Sequence, residues 1–408
     1  MAIPTPEPRI ARFERMGYGM FIHWGLYAHL GQGEWVQHLR KVPMDEYARI
    51  KDTFTAEEFD GRQIAAIAKA AGMQYITLTS RHHDGFSLYD TRGLSDHDAP
   101  HSAAGRDLVA ELIEGCRAEG ISPHFYHTTL DWYQPSFHND FDAYLDYLHQ
   151  SIEVLCTSYG AIGGLWFDGN WSKPDADWKE DRLYGIIRQH QPEAMIVNNT
   201  GLSALGALGH PEIDSVTFEQ GRPAPMSRAD KDKYVAAEMC QTMNRHWGIG
   251  AEDFNCMSPA EIIGHLCTCR KVGANYLFNV GPTASGRIPD YESAPHCAAS
   301  ASGSPPIQRP STTPGPPPSR AAARTSRWRL TTASICSSTT CRGAGMSMCH
   351  SAGAAPDHGA LPTSSERFRR RAGSTTTRCC ALRKSRICSA SRPRDIRMAL
   401  TELCASPK

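Results

Sequence analysis

Short apolar runs, each stopping at one or two polar residues, recur through the first two-thirds of the chain. Between them lie stretches with helical periodicity. Residues 17–24 read as a buried strand ending at His23. Residues 56–71 read as a helix closed by Ala71-Gly72, and 75–80 as a strand running into Arg81-His-His-Asp-Gly-Phe86. The pattern continues with a helix over 107–119 stopped by Gly120, a strand over 122–126 and a helix over 139–158. The apolar run 162–167 then ends abruptly at Asp168. Beyond it the spacing predicts a helix over 177–190 and strands over 194–198 and 213–218, the latter ending at Glu219. A helix over 258–272 and a strand over 276–280 follow, while 233–250 fits neither period cleanly. Seven or eight β–α alternations in this length predict a (β/α)8 TIM-like barrel. A doubly wound open sheet is the alternative, but no glycine-rich phosphate loop follows the first strand.

Composition divides the chain near residue 293. The whole has 408 residues, 40% of them hydrophobic, and no formal net charge. Residues 294–408 hold eighteen Lys and Arg against four Asp and Glu, about +14, and eight of the 14 cysteines. Runs such as Pro314-Gly-Pro-Pro-Pro-Ser319 and Phe368-Arg-Arg-Arg371 carry no sustained periodicity, which predicts disorder. The expected organisation is a catalytic barrel over 1–293 and a low-complexity tail over 294–408. The abrupt loss of Lys, Asp and Glu reads as a shifted reading frame in a GC-rich gene. A basic nucleic-acid-binding tail is the competing reading. The six cysteines before 293 lack metal-ligand spacing and are expected as free thiols. No run is long and apolar enough for a membrane span, and the first residues lack the apolar core of a signal peptide. The expectation is a cytoplasmic protein without membrane or nucleic-acid partners, its oligomeric state open.

In a barrel the C-terminal ends of the strands build the site. Those ends carry His23, His82, His83, Tyr126, His127, Asp168, Asn198, Asn199, Glu219 and Asn279, with many aromatics nearby, among them Phe21, Trp35, Trp166, Trp171 and Trp247. Hydrogen-bonding histidines, indole faces and two carboxylates suit a neutral polyhydroxylated ligand such as a sugar. Asp168, delivered by a buried run beside two tryptophans, is the candidate nucleophile; capping the next helix is its structural alternative. A glycosidase needs a second carboxyl group, for which Glu219 and Glu238 are the candidates. The His82-His83 doublet raises metal-dependent hydrolysis, yet His-x-His and His-Glu-x-x-His spacings are absent. No metal or cofactor is expected. His23, Trp35 and Trp247 have core packing as their alternative.

Phe21-Ile-His-Trp-Gly25, Glu34-Trp35, Arg81-His-His-Asp-Gly-Phe86, Leu130-Asp-Trp132, Trp166-Phe-Asp-Gly-Asn170 and Asn275-Tyr-Leu-Phe-Asn-Val-Gly-Pro282 together resemble an α-L-fucosidase of glycoside hydrolase family 29. The resemblance spans roughly residues 10–293. It implies a retaining double displacement on terminal α-L-fucose of oligosaccharides or glycoconjugates, with Asp168 as nucleophile. It implies that Phe21, His23, Glu34, Trp35, His82, His83, Tyr126, Trp166 and Trp247 surround the sugar. Glu219 matches the loop that carries the acid/base in several members; Glu238 matches a second glutamate, and Glu219 is preferred. The chain departs from the family in two places. Asn198-Asn199-Thr200 stands where many members have Asn-Asp-Arg, and the tail does not read as the usual C-terminal β-sandwich. The helix after the eighth strand is also expected to be missing. A fucose-binding protein crippled in turnover, or a metal-dependent hydrolase on the same barrel, are the alternative functions.

Overall fold

The computed structural model describes residues 3–293, apart from 201, 203 and 230. Eight parallel strands close in chain order: β1 Tyr18–Ile22, β2 Tyr75–Arg81, β3 Ser122–Thr128, β4 Gly164–Asp168, β5 Met195–Asn198, β6 Ser215–Glu219, β7 Ala236–Gln241 and β8 Asn275–Val280. β8 returns beside β1, with Phe21 opposite Asn279. The predicted (β/α)8 barrel is therefore the fold. The disorder, frame and nucleic-acid readings of the tail all fall on residues outside those described. Residues 290–293, after β8, are helical, and the rest of the stretch where the expected missing helix would lie is outside the described residues.

The main helices are α1 Pro8–Met16, α2 Gly61–Ala70, α3 Leu108–Glu119, α4 Phe141–Ser158, α5 Glu180–His190 and α6 Pro259–Val272. Three start two or more residues later than periodicity suggests, for local reasons. The Asp60 carboxylate accepts the backbone N–H groups of Arg62 and Gln63, and Asp140 accepts that of Ala143, so each Asp caps rather than joins its helix. Before α5, Lys179 sits at φ 51°, outside helical geometry. Helices α2 and α3 touch backbone to backbone: a Cβ on Gly115 would lie 2.2 Å from the Gly61 carbonyl oxygen. The six cysteines of the described region are free.

The barrel is least continuous between β5 and β6, where Val197–Ser215 is the paired position. Side chains complete that seam. At its lower end the Asp214 N–H donates to the Ile196 carbonyl at 2.8 Å, and the Asp214 carboxylate accepts the Ile196 N–H at 3.0 Å. The same buried carboxylate meets Arg9 at 3.1 Å, Arg188 at 2.6 Å and Lys233 at 2.9 Å. Arg9 belongs to α1 and Arg188 to α5, so one anion fastens two helices and a loop to the seam. Burial alone would raise the Asp214 pKa, but the Arg9 hydrogen bond and the charges of Arg188 and Lys233 hold it below its usual value.

Asp214→Asn leaves three cations around a neutral group and is expected to destabilise the barrel by about 3–5 kcal/mol in urea unfolding at neutral pH. The folded-state pKa is depressed, so the wild-type advantage is complete above the unfolded carboxyl value of about 3.9 and shrinks as pH falls through the folded value. A constant gap between the two proteins down to acid pH would contradict this assignment.

Candidate active site

Five of the eight strands deliver residues at or just past their C-terminal ends to one mouth. Phe21 comes from β1, with His23 just beyond it, and His82 and His83 follow β2. Tyr126 lies on β3, Trp166 and Asp168 on β4, and Glu219 at the end of β6. These residues line one cavity with Trp35, Trp171, Leu202 and Trp247 from the loops. The alternation of a strand explains the selection. At the end of β5, Asn198 turns outward, donating to the Tyr184 hydroxyl of α5 at 2.8 Å, and Asn199 turns inward.

Asp168 is held from both sides. Its Oδ1 accepts the Trp171 indole N–H at 3.0 Å and the Asn199 amide at 3.4 Å, and its Oδ2 accepts the Tyr126 hydroxyl at 3.2 Å. His83 Nε2 lies 3.5 Å from Oδ2. Thr128 spends its hydroxyl proton on the Leu130 carbonyl, so it accepts from His83 Nδ1 at 2.7 Å. Burial would raise the Asp168 pKa, but the His83 hydrogen bond and charge, with those from Trp171 and Tyr126, bring it below the usual value.

Glu219 has the opposite environment. Burial, and then the charge of Asp168, push its pKa up to about 7; the Asn199 hydrogen bond only partly offsets them. Asn199 Nδ2 is 2.6 Å from Glu219 Oε2 and 3.4 Å from Asp168 Oδ1, so these two oxygens lie no more than about 6 Å apart. The site thus holds two facing carboxyl groups, one with its pKa lowered and the other with its pKa raised to about 7, kept apart by environment.

The walls are suited to a polyol. Burial lowers the His23 pKa to about 3, so the ring is neutral. Asn279 gives its N–H to the Trp247 carbonyl and turns its oxygen to His23 Nδ1 at 2.7 Å, which fixes the proton there and leaves Nε2 as an acceptor. The ring of His82 packs between His83 and Tyr126, and its Nδ1 has no partner. Phe21 meets Trp166 and Trp247 edge-on, and Trp35 stacks on Trp171 at 5.9 Å. Among the described residues, no group of three or more His, Cys, Asp or Glu is placed to hold a metal ion.

Of the nine residues expected to surround the sugar, Glu34 is the one that does not line the cavity. The loop after β1 turns its carboxylate back to accept the N–H groups of Trp247 and Gly248 at 3.0 and 2.9 Å, so it supports the wall from behind. Glu238 is absent from the lining as well. Its carboxyl group lies inside the barrel, accepting the Tyr75 hydroxyl at 2.6 Å and the Trp166 indole at 3.0 Å. Trp171 and Asn199 stood in the sequence as a neighbouring indole and a strand end. Their contacts to Asp168 required the fold. Leu202 carried no signal at all.

The sequence model of the alpha-L-fucosidase family matches residues 6–295. Tissue alpha-L-fucosidase of Homo sapiens is 27% identical over 310 residues, covering 69% of this chain and 65% of that protein. A putative alpha-L-fucosidase of Caenorhabditis elegans is 26% identical over 313 residues, with 69% and 62% covered. The chain therefore spans under two-thirds of the length of these curated relatives. Among solved structures, alpha-L-fucosidase isoenzyme 1 from Paenibacillus thiaminolyticus superposes with a TM-score of 0.64 at 34% identity, covering 72% of this chain and 75% of that one. Alpha-L-fucosidase AlfC from Lactobacillus casei, in complex with alpha-L-fucose product, gives a TM-score of 0.63 at 28% identity, with 72% and 98% covered. A family match over nearly the whole described barrel settles kinship: the chain belongs to the alpha-L-fucosidase family.

Proposed function

We propose that this chain hydrolyses terminal α-L-fucosides of oligosaccharides or glycoconjugates by double displacement. Asp168 attacks C1 while Glu219 protonates the departing glycosidic oxygen, giving a covalent fucosyl-aspartate. Glu219, now ionised, takes a proton from water, and the hydroxide formed at C1 releases fucose and restores Asp168. Family membership supports the substrate. The observation that carries the mechanism is the spacing of the two acids. A gap of no more than about 6 Å between facing oxygens fits direct attack and leaves little room for the intervening water of an inverting enzyme. The division of charge supports the two roles, since the lowered Asp168 pKa suits a nucleophile and the Glu219 value of about 7 suits an acid. Glu238 has a similarly raised pKa but is tied to Tyr75 and Trp166 away from the cavity, which favours Glu219.

The first test is hydrolysis of an aryl α-L-fucoside with and without chelator, with the first-formed anomer read by proton NMR. Retention of the α-anomer and indifference to chelator are expected. An inverted product would refute double displacement, and no turnover would leave a binding protein. The Asp168→Gly variant should lose at least about a thousandfold in kcat, with azide restoring turnover as the inverted fucosyl azide. Full activity in that variant would remove Asp168 as nucleophile.

Glu219→Ala should lose about 10²–10⁴-fold on a fucoside with a poor leaving group and far less on an activated aryl fucoside. Equal losses on both would return the acid/base role to Glu238. In the wild type, kcat/KM needs Asp168 ionised and Glu219 protonated. The rate should therefore fall on the alkaline side through about pH 7 and on the acid side below the ordinary carboxyl range. A profile flat through pH 9 would contradict the acid assignment.

A further inference from the structure

We infer that Asn199 is the positioning residue for both carboxyl groups: its side-chain amide, latched by Thr217, spans Asp168 and Glu219 and fixes their separation and orientation. The inference rests on the double-displacement reading for its consequence in rate, but the bridge itself is a matter of geometry.

Asn199 lies just past β5, between the strands that carry the two acids, and is buried. Its Oδ1 accepts the Thr217 hydroxyl at 2.8 Å. Its Nδ2 has two hydrogens and two acceptors, Glu219 Oε2 at 2.6 Å and Asp168 Oδ1 at 3.4 Å. The amide is not free to flip, because flipping would set a carbonyl oxygen against both carboxyl groups. The backbone is also fixed, since the Asn199 N–H donates to the Phe167 carbonyl at 2.8 Å and extends the β4–β5 ladder. Every degree of freedom of the bridge is therefore spent.

The choice of a neutral amide has a chemical consequence. A lysine or arginine between the acids would favour ionisation of both, and the site would lose its proton donor. An aspartate would add a third negative charge. A neutral donor screens the two acids without fixing both as anions. It also sorts the oxygens of Glu219: Oε2 accepts from Asn199, so the acid proton belongs on Oε1. Other groups act on the same pair, namely His83, Tyr126 and Trp171 on Asp168, and Glu34 and Trp247 on Glu219. The buried Cys240 thiol also feels both charges. None of these links the two acids to each other as Asn199 does.

Carbon-13 NMR titration of labelled carboxyl groups in the full-length protein tests the bridge without substrate, with the two resonances assigned from Asp168→Asn and Glu219→Gln. Asn199→Ala removes a donor to both charged forms. Both midpoints should rise, that of Glu219 by about one pH unit. Thr217→Val keeps the amide but unlatches it and should move the same midpoints the same way by less. It also serves if Asn199→Ala does not fold. The alkaline limb of kcat/KM should move up with the Glu219 midpoint in each variant. Unmoved midpoints in the variants that fold would overturn the inference, whatever happens to their stability. A wild type inactive on aryl fucosides would sink the double-displacement reading, yet the shifted midpoints would still establish the bridge.

Discussion

The arrangement depends on how the seam between β5 and β6 is closed. Elsewhere adjacent strands share several paired positions, as β3 and β4 do over five residues, whereas β5 and β6 meet at Val197 and Ser215. Polar side chains stand in for the missing ladder at both ends. Below, Asp214 closes it with the Ile196 N–H and three cations. Above, Asn199 closes it with Thr217 and Glu219. The barrel's weakest backbone pairing therefore lies directly beneath the pair of acids, and the groups that compensate for it differ in kind. Full charges close the end away from the cavity, and a neutral amide closes the end at the two facing carboxyl groups.

Strand spacing explains why a short polar residue is wanted there. Neighbouring strands lie about 4.8 Å apart, so β4 and β6, with β5 between them, are separated by roughly twice that. Side chains pointing to the barrel axis bring Asp168 and Glu219 within about 6 Å of one another. A gap of that size in a buried, aromatic-walled cavity makes two carboxylates repel strongly. Burial and that repulsion push the Glu219 pKa up to about 7, while His83, Trp171 and Tyr126 hold that of Asp168 below its usual value. The two carboxyl groups differ less in chemistry than in their neighbours.

Much of this was legible in the chain because most strands are short apolar runs that end in a polar residue, a pattern that survives without tertiary context. β7 was the exception. Ala236–Gln241 is buried throughout yet carries Glu238 in its middle, so neither period stands out; the carboxyl is tolerated because Tyr75 and Trp166 both donate to it. Glu34 illustrates the reverse case. Its motif identified the neighbourhood correctly, but the carboxylate binds main-chain amides of residues more than two hundred positions away. Asn199 was visible as a strand end and as a departure from the family pattern. Its role depends on three partners from two other strands, and no local spacing encodes that.

A raised carboxyl pKa does not by itself find the acid of such a site. Glu219, Glu238 and Glu292 are all pushed to about 7, in each case chiefly by burial. Glu292 accepts the Gly281 N–H at 2.7 Å, and Glu238 is taken up by a phenol and an indole. Both carboxyl groups serve structure. Of the three, Glu219 lines the cavity and faces a second carboxylate, so its protonation state has something to act on. Burial can supply a proton near neutral pH in many places in a barrel; access and an ionised partner within a few ångströms turn one of those protons into a reagent.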